Sequence, residues 1–310
     1  MPEKNIQKQS VAVLIPCYNE AISIASVITD FSHALPEASI YVYDNNSSDN
    51  TAEQARLAGA VVRHEALQGK GNVVRRMFAD IDADIYVLVD GDGTYEAASA
   101  PGMIALLQEQ NCDMVVGCRK DQSPQAYRAG HRLGNMLFTR SVALLFGQSF
   151  TDILSGYRVF SRPFVLSFPA HSAGFEIETE LTVHSLQMRL RTAELDTPYY
   201  SRAEGSTSKL NTWRDGYRIA RVILGLVLSE RPLLLLGAVA AVCFAASCLL
   251  FAPVLYTYWE LGTVPRFPSL IVATGLGGFS LITLFFGYLF DRLSQTRREI
   301  RRLFYLAAKK

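Results

Sequence analysis

Two carboxylates one residue apart, Asp90 and Asp92, follow the apolar run Ile85-Tyr-Val-Leu-Val. Such a pair can grip one hard divalent cation and leave positions open for diphosphate oxygens, and Mg2+ or Mn2+ suits donors of this kind. A cation there would neutralise charge developing on a departing nucleoside diphosphate. An isolated Asp-x-Asp triplet more often marks a turn. Here other acids are placed the same way: Glu20 after Val11-Ala-Val-Leu-Ile-Pro-Cys-Tyr-Asn, and Asp44 at the end of Ser39-Ile-Tyr-Val-Tyr.

The segment 11–20, an apolar run ending in polar residues, and the runs at 39–44, 60–63, 85–90 and 114–117 read as strands. Stretches at 22–35, 51–58 and 71–80 read as helices between them. Apolar strands alternating with helices predict an α/β fold with a mostly parallel sheet covered on both faces. Ligands of such sheets sit beyond the carboxyl ends of the strands, where these acids fall.

The chain has 310 residues, enough for one domain of roughly 200 to 230 residues and a smaller appendage. A net charge of +1 gives no reason to expect a nucleic-acid partner. Five scattered cysteines, Cys17, Cys112, Cys118, Cys243 and Cys248, have no metal-type spacing and predict free thiols. The polar opening MPEKNIQKQS leads straight into a strand-like run, so no cleavable signal peptide is expected.

No charged residue occurs from Pro232 to Tyr258, nor from Phe267 to Phe290. Each stretch exceeds the roughly 20 apolar residues needed to span a bilayer as a helix. The short segment around 261–266 between them predicts a transmembrane hairpin. Arg218, Arg221 and Arg231 precede the first span, and Arg292, Arg297, Arg298, Arg301, Arg302, Lys309 and Lys310 follow the second. Basic flanks on both sides predict that both ends lie on the cytoplasmic face of the cell (inner) membrane. Residues 131–148 and 210–230 read as amphipathic helices suited to the headgroup layer. The expected division is a cytosolic domain over 1–207, an interfacial helix over 208–231, two spans over 232–290 and a basic tail over 291–310.

In this order, six segments make the chain resemble the inverting family 2 glycosyltransferases of GT-A fold, dolichol-phosphate mannose synthases and bacterial polyprenyl-phosphate glucosyltransferases above all. They are Pro16-Cys-Tyr-Asn-Glu20, Asp44-Asn-Asn-Ser-Ser-Asp49-Asn-Thr51, Gly69-Lys-Gly-Asn72, Asp90-Gly-Asp92, Asp152-Ile-Leu-Ser-Gly-Tyr-Arg158 and Gly174-Phe-Glu-Ile-Glu178. The resemblance covers about residues 10 to 230. It implies that Pro16, Tyr18, Glu20 and Asp44 cradle the base and ribose of a nucleotide-sugar, with Lys70 bordering the nucleotide. It assigns Asp90 and Asp92 to the diphosphate and metal. It puts Arg119 and Arg132 near the phosphates, Arg202, Ser208 and Lys209 in a later phosphate-binding stretch, and Asp152, Ser155, Glu176 and Glu178 facing the sugar. Two positions depart from the pattern: Asn45 replaces a second Asp, and Thr94 stands where the mannose synthases have a Gln metal ligand. Tyr157 and Phe175 are expected to be core packing.

The implied reaction is inverting, metal-dependent sugar transfer to a polyprenyl phosphate at the membrane surface. A phosphate monoester with a second pKa of about 6 is already a nucleophile at neutral pH, so such an acceptor needs positioning more than proton abstraction. A polysaccharide synthase fits less well, because neither Trp213 nor Trp259 lies in a Gln-x-x-Arg-Trp motif and two spans are few for a channel. A transferase acting on another non-lipid acceptor and a non-catalytic scaffold are the other readings, and a homo-oligomer is compatible with all of them.

Overall fold

The computed structural model describes residues 9–121, 150–170, 174, 176–201, 225 and 231–309. It separates into two compact units, one of Met1–Ile219 with Arg301–Lys310 and one of Ala220–Ile300.

The first unit begins with β1 (Val11–Cys17), α1 (Ile24–Ala34), β2 (Ser39–Asp44), α2 (Thr51–Leu57), β3 (Val61–His64), α3 (Lys70–Asp80) and β4 (Ile85–Leu88). Then come α4 (Ala100–Glu109), β5 (Met114–Asp121), β6 (Arg158–Ser161), α5 (Arg162–Ser167), α6 (Ile177–Gln187) and β7 (Thr192–Tyr199). The early elements follow the apolar periodicity closely. In α1 the buried residues Ile24, Val27, Ile28 and Phe31 recur at helical spacing and form one stripe. In β1 apolar residues face both ways, as a strand covered by helices on both sides requires.

The seven strands form one sheet in the order β3-β2-β1-β4-β6-β5-β7. β1 pairs in parallel with β2, from Ala12 opposite Ser39 to Cys17 opposite Asp44, and with β4 on its other side. Only β6 runs against its neighbours, pairing antiparallel with both β4 and β5. The sheet is therefore mixed but mostly parallel. The chain reverses direction of travel across the sheet at β1, and the carboxyl ends of β2, β1, β4 and β5 share one edge. A crevice at such a switch point is where open α/β sheets bind ligands.

Behind the opposite end lies an aromatic cluster. Phe78 meets Tyr86, Phe160 and Phe168 edge-on, and Phe160 stacks on Phe164 at 4.7 Å. The last residues of the first unit pack on this domain as well. The Tyr305 hydroxyl lies 3.0 and 3.1 Å from the two Asp113 carboxylate oxygens, and Arg301 donates to Gln187 at 2.6 Å.

The second unit is built on two helices, α7 (Pro232–Leu261) and the longer α8 (Phe267–Ala308), which runs on into the first unit's final residues. Both are long and apolar enough to cross a membrane, with 6 % and 17 % of their most apolar stretches buried. Core helices of a globular domain would be mostly covered. Pro232 starts α7 at a position where its missing N–H costs nothing. Gly262, in the left-handed region at φ 65, ends it by donating to the Tyr258 carbonyl at 2.8 Å. The two helices run antiparallel in contact, tied by Ser247 Oγ to the Ala273 carbonyl at 2.7 Å and Ser280 Oγ to the Ala240 carbonyl at 2.8 Å. They form a candidate transmembrane hairpin. The second helix does not stop at Phe290, where the uncharged run ends, because Arg, Leu and Ala, all good helix formers, dominate the stretch beyond it.

Candidate active site

The loops after β1 and β2 interlock at the sheet edge. Pro16 lies in β1 opposite Tyr43, and Tyr18 is half-exposed just beyond it. The backbone N–H of Glu20 donates to Thr51 Oγ1 at 2.9 Å, while its carbonyl accepts from the N–H groups of Ser23 and Ile24 and so starts α1. Asp49 ties the two loops, accepting from Ala21 N at 3.2 Å and from both the N–H and the hydroxyl of Thr51.

Asp44, at the end of β2, is buried. Its Oδ2 lies 3.3 Å from Ser47 N and 3.6 Å from His64 Nδ1, and its buried Oδ1 has no hydrogen-bond partner among the described residues. A buried acceptor left unmatched is costly and is an expected place for a ligand N–H. Its neighbour Asn45 is fully engaged. Its amide nitrogen donates to the carbonyls of Glu65 and Leu67, both at 2.8 Å, and its carbonyl oxygen accepts from Gly69 N at 2.7 Å. An Asp could not make the two donations, which is the physical reason for Asn at this position.

That staple fixes the backbone immediately before Lys70, the first residue of α3. The Lys70 ammonium meets Asp90 Oδ1 at 2.5 Å and also bonds Glu178 Oε1, from the first turn of α6. Burial by itself would lower the Lys70 pKa, but Asp90 and Glu178 outweigh it and hold the amine above its ordinary range, so it stays charged. Asp92 is turned by Thr94, whose N–H and hydroxyl donate to Oδ1 at 3.1 and 2.7 Å. Gly91 permits the tight packing between the two acids, since a Cβ there would lie 2.6 Å from Cys17 Sγ. Gly156 backs Asp90 so closely that a Cβ would fall 2.5 Å from Oδ2.

Asp90 and Asp92 supply two carboxylates, and among the described residues no group of three or more His, Cys, Asp and Glu forms a protein cage. Two acids on one short turn fit Mg2+ or Mn2+, which take one or two carboxylates and complete their shell with water and phosphate oxygens. Thr94 is turned onto Asp92 by the same bonds that orient the carboxylate.

Arg119, near the end of β5, is engaged by Asp152. Nε and one terminal nitrogen each donate at 2.7 Å to different carboxylate oxygens, the Arg119 backbone N–H adds a third bond at 3.2 Å, and the guanidinium lies 5.5 Å from the Tyr199 ring centre. Ser155 is fully buried and donates to the Gly117 carbonyl at 2.6 Å, bracing the turn before β6. Glu176 immediately precedes α6, and its carbonyl accepts from the Glu180 N–H at 2.9 Å. Tyr157 packs in the core between Phe31 and Tyr95. Arg132, Arg202, Ser208, Lys209, Phe175 and both amphipathic stretches at 131–148 and 210–230 lie outside the described residues, apart from residue 225.

The structure thus brings Lys70, Asp90 and Glu178 into direct contact near Asp92, and pairs Arg119 with Asp152. One organising residue went unassigned in the sequence. Arg158, fully buried, donates to the carbonyls of Ile153 and Ser155 and to Thr182 Oγ1, holding the 152–155 turn to α6. Burial lowers its pKa to about 10, still far above neutrality. A buried Arg closing a motif signals such bracing, but its partners are spread too widely to be read from spacing.

Comparison with known proteins agrees with this architecture. Residues 12–166 match the family described as "Glycosyl transferase family 2". The chain is 37 % identical over 294 residues to the glycosyltransferase AglJ of Haloferax volcanii, covering 94 % of this chain and 95 % of that one. It is 60 % identical over 124 residues to protein RfbJ of Shigella flexneri, covering 40 % of this chain and 96 % of that one. It is 29 % identical over 221 residues to a dolichyl-phosphate hexose transferase of H. volcanii, covering 71 % and 95 %. Among solved structures, glucosyl-3-phosphoglycerate synthase from Mycobacterium tuberculosis, in complex with Mn2+, UDP-glucose and phosphoglyceric acid, shares the fold. It matches with TM-score 0.56 and 23 % identity over 72 % of this chain and 79 % of that one. With acids gathered on the carboxyl edge of a GT-A sheet and a relative of known class matched along nearly its whole length, the chain belongs to glycosyl transferase family 2.

Proposed function

We propose that this glycosyltransferase moves a sugar from a nucleotide-sugar to a polyprenyl phosphate, with inversion, at the cytoplasmic face of the inner membrane. The observation that carries the lipid acceptor is the pair of apolar helices, 30 and 42 residues long and largely uncovered. A dolichyl-phosphate hexose transferase among the relatives supports it. The basic residues flanking both spans favour a cytoplasmic catalytic unit.

In this reading the unmatched Asp44 Oδ1 accepts an N–H of the base, and uracil and guanine each offer one, so UDP- and GDP-sugars are both candidates. Pro16, Tyr18 and Glu20 border the base and ribose. Asp90 and Asp92 would hold the divalent ion, which supplies charge neutralisation to the departing diphosphate. Lys70 places a permanent positive charge beside them. Arg132, Arg202, Ser208 and Lys209 are assigned to phosphate on the strength of the family resemblance. Arg119, which the resemblance puts near the phosphates, pairs with Asp152, and Asp152, Ser155 and Glu176 shape the sugar side. No general base is needed for a phosphate dianion, so the residues act by alignment and charge control. An acceptor at the bilayer surface also avoids lifting a prenyl tail into water, at about 0.8 kcal/mol per CH2.

The test is transfer by the full chain in lipid nanodiscs. UDP- and GDP-sugars are offered with undecaprenyl phosphate, and phosphoglyceric acid serves as the soluble acceptor, with product read by mass. Glycolipid formation is expected. Sugar appearing only on phosphoglyceric acid would sink the lipid reading.

A further inference from the structure

We infer that Glu178 serves sugar transfer through Lys70, as a positioning residue that holds the Lys70 ammonium against Asp90 so that the donor's diphosphate meets a fixed cation. The inference rests on the proposed function, because it supposes that a nucleoside diphosphate binds at Asp90 and Asp92. Glu178 belongs to a segment whose resemblance implies contact with the sugar, but its Oε1 is taken by Lys70 and the residue is only 5 % exposed.

The arrangement is braced from both sides. On the lysine side, Asn45 ties Gly69 N and the carbonyls of Glu65 and Leu67, which pins the backbone leading into Lys70. On the glutamate side, Thr182 Oγ1 donates to the Glu178 carbonyl at 3.1 Å and accepts from the buried Arg158 at 2.8 Å, which pins the first turn of α6. Two staples from distant parts of the chain thus converge on one ion pair. Lysine has three N–H donors. Asp90 and Glu178 take two, which among the described residues leaves the third for a diphosphate oxygen.

Charge points the same way. Asp90, Asp92 and Glu178 would bring three negative charges to a site that takes a polyanion, and Lys70 offsets one of them. A lysine free to swing would lose rotamer entropy each time it met the donor, and the second carboxylate removes that freedom in advance.

The experiment is a double-mutant cycle on the full chain in detergent, reading calorimetric affinity for UDP and for GDP with Mn2+, together with kcat and KM for transfer. Lys70→Ala and Glu178→Ala are each expected to weaken nucleotide binding about tenfold or more, as loss of a charge-assisted hydrogen bond does. The double variant is expected to bind no worse than Lys70→Ala alone. Glu178→Gln, which keeps an acceptor oxygen for the ammonium, is expected to recover most of the affinity, and it carries the test should Glu178→Ala melt early. Additive losses, or Glu178 variants that bind nucleotide like wild type and lose only kcat, would overturn the inference and assign Glu178 to the sugar directly. A wild-type chain that binds neither nucleotide would instead bring down the proposed function, and the inference with it.

Discussion

Arg119 and Asp152 join β5 to the turn before β6 through two parallel hydrogen bonds of 2.7 Å, with a third from the Arg119 backbone. Both side chains are largely buried, at 15 % and 8 % exposure. A forked guanidinium matched to a carboxylate is the strongest geometry such a pair can adopt. Truncating one partner leaves the other charged and poorly solvated. Arg119→Ala should therefore destabilise the catalytic unit by about 3 kcal/mol, measured by denaturant unfolding in detergent. An unchanged midpoint would mean that the pair contributes no stability and that Arg119 is held for the substrate alone.

Asp92→Ala should lower transfer by about 100-fold or more, because the remaining acid cannot hold a divalent ion against the diphosphate by itself. Membrane insertion should be intact. Full activity of the variant in EDTA would rule out the metal-binding role.

Asn45→Asp should cost about 2 kcal/mol, since two buried carbonyls lose their donors and face a carboxylate instead. Nucleotide affinity should fall with it, because the loop before Lys70 is no longer pinned. Wild-type unfolding and wild-type affinity together would show that the amide staples nothing.

The catalytic unit should weaken as pH falls below about 6.5, and His184 is the reason. Ser167 gives its single hydroxyl proton to the Phe164 carbonyl, so His184 Nε2 must donate to Ser167 Oγ, leaving Nδ1 buried with no partner among the described residues. Burial, reinforced by the charge of Arg301, pushes the imidazole down to about 3. Between about 3 and 6.5 the unfolded chain binds a proton that the folded chain refuses, so stability drops as pH drops through that window. At pH 5 the loss amounts to about 2 kcal/mol. His184→Gln, which cannot titrate, should show a correspondingly flatter profile between pH 7 and 5. Parallel profiles for the two proteins would refute the assignment to His184.

Much of this molecule could be read from short stretches of its sequence. The parallel strands through β4, the helices between them and the two apolar helices each write their burial into local periodicity, because a side chain's neighbours along the chain decide which face it shows. Asp44, Asp90 and Asp92 were legible as site candidates for the same reason: each ends or follows an apolar strand. The antiparallel strand β6 was not legible, since its insertion between β4 and β5 is fixed by backbone pairing with segments far away in sequence. The partners of the charged side chains were equally hidden. Lys70 finds Glu178 across 108 residues, and Arg119 finds Asp152 across 33. Sequence alone determined which residues could bear charge beside the carboxyl edge of a sheet. Tertiary structure decided which of those charges meet, because ion pairing between distant segments exists only after the sheet has closed and brought their backbones together.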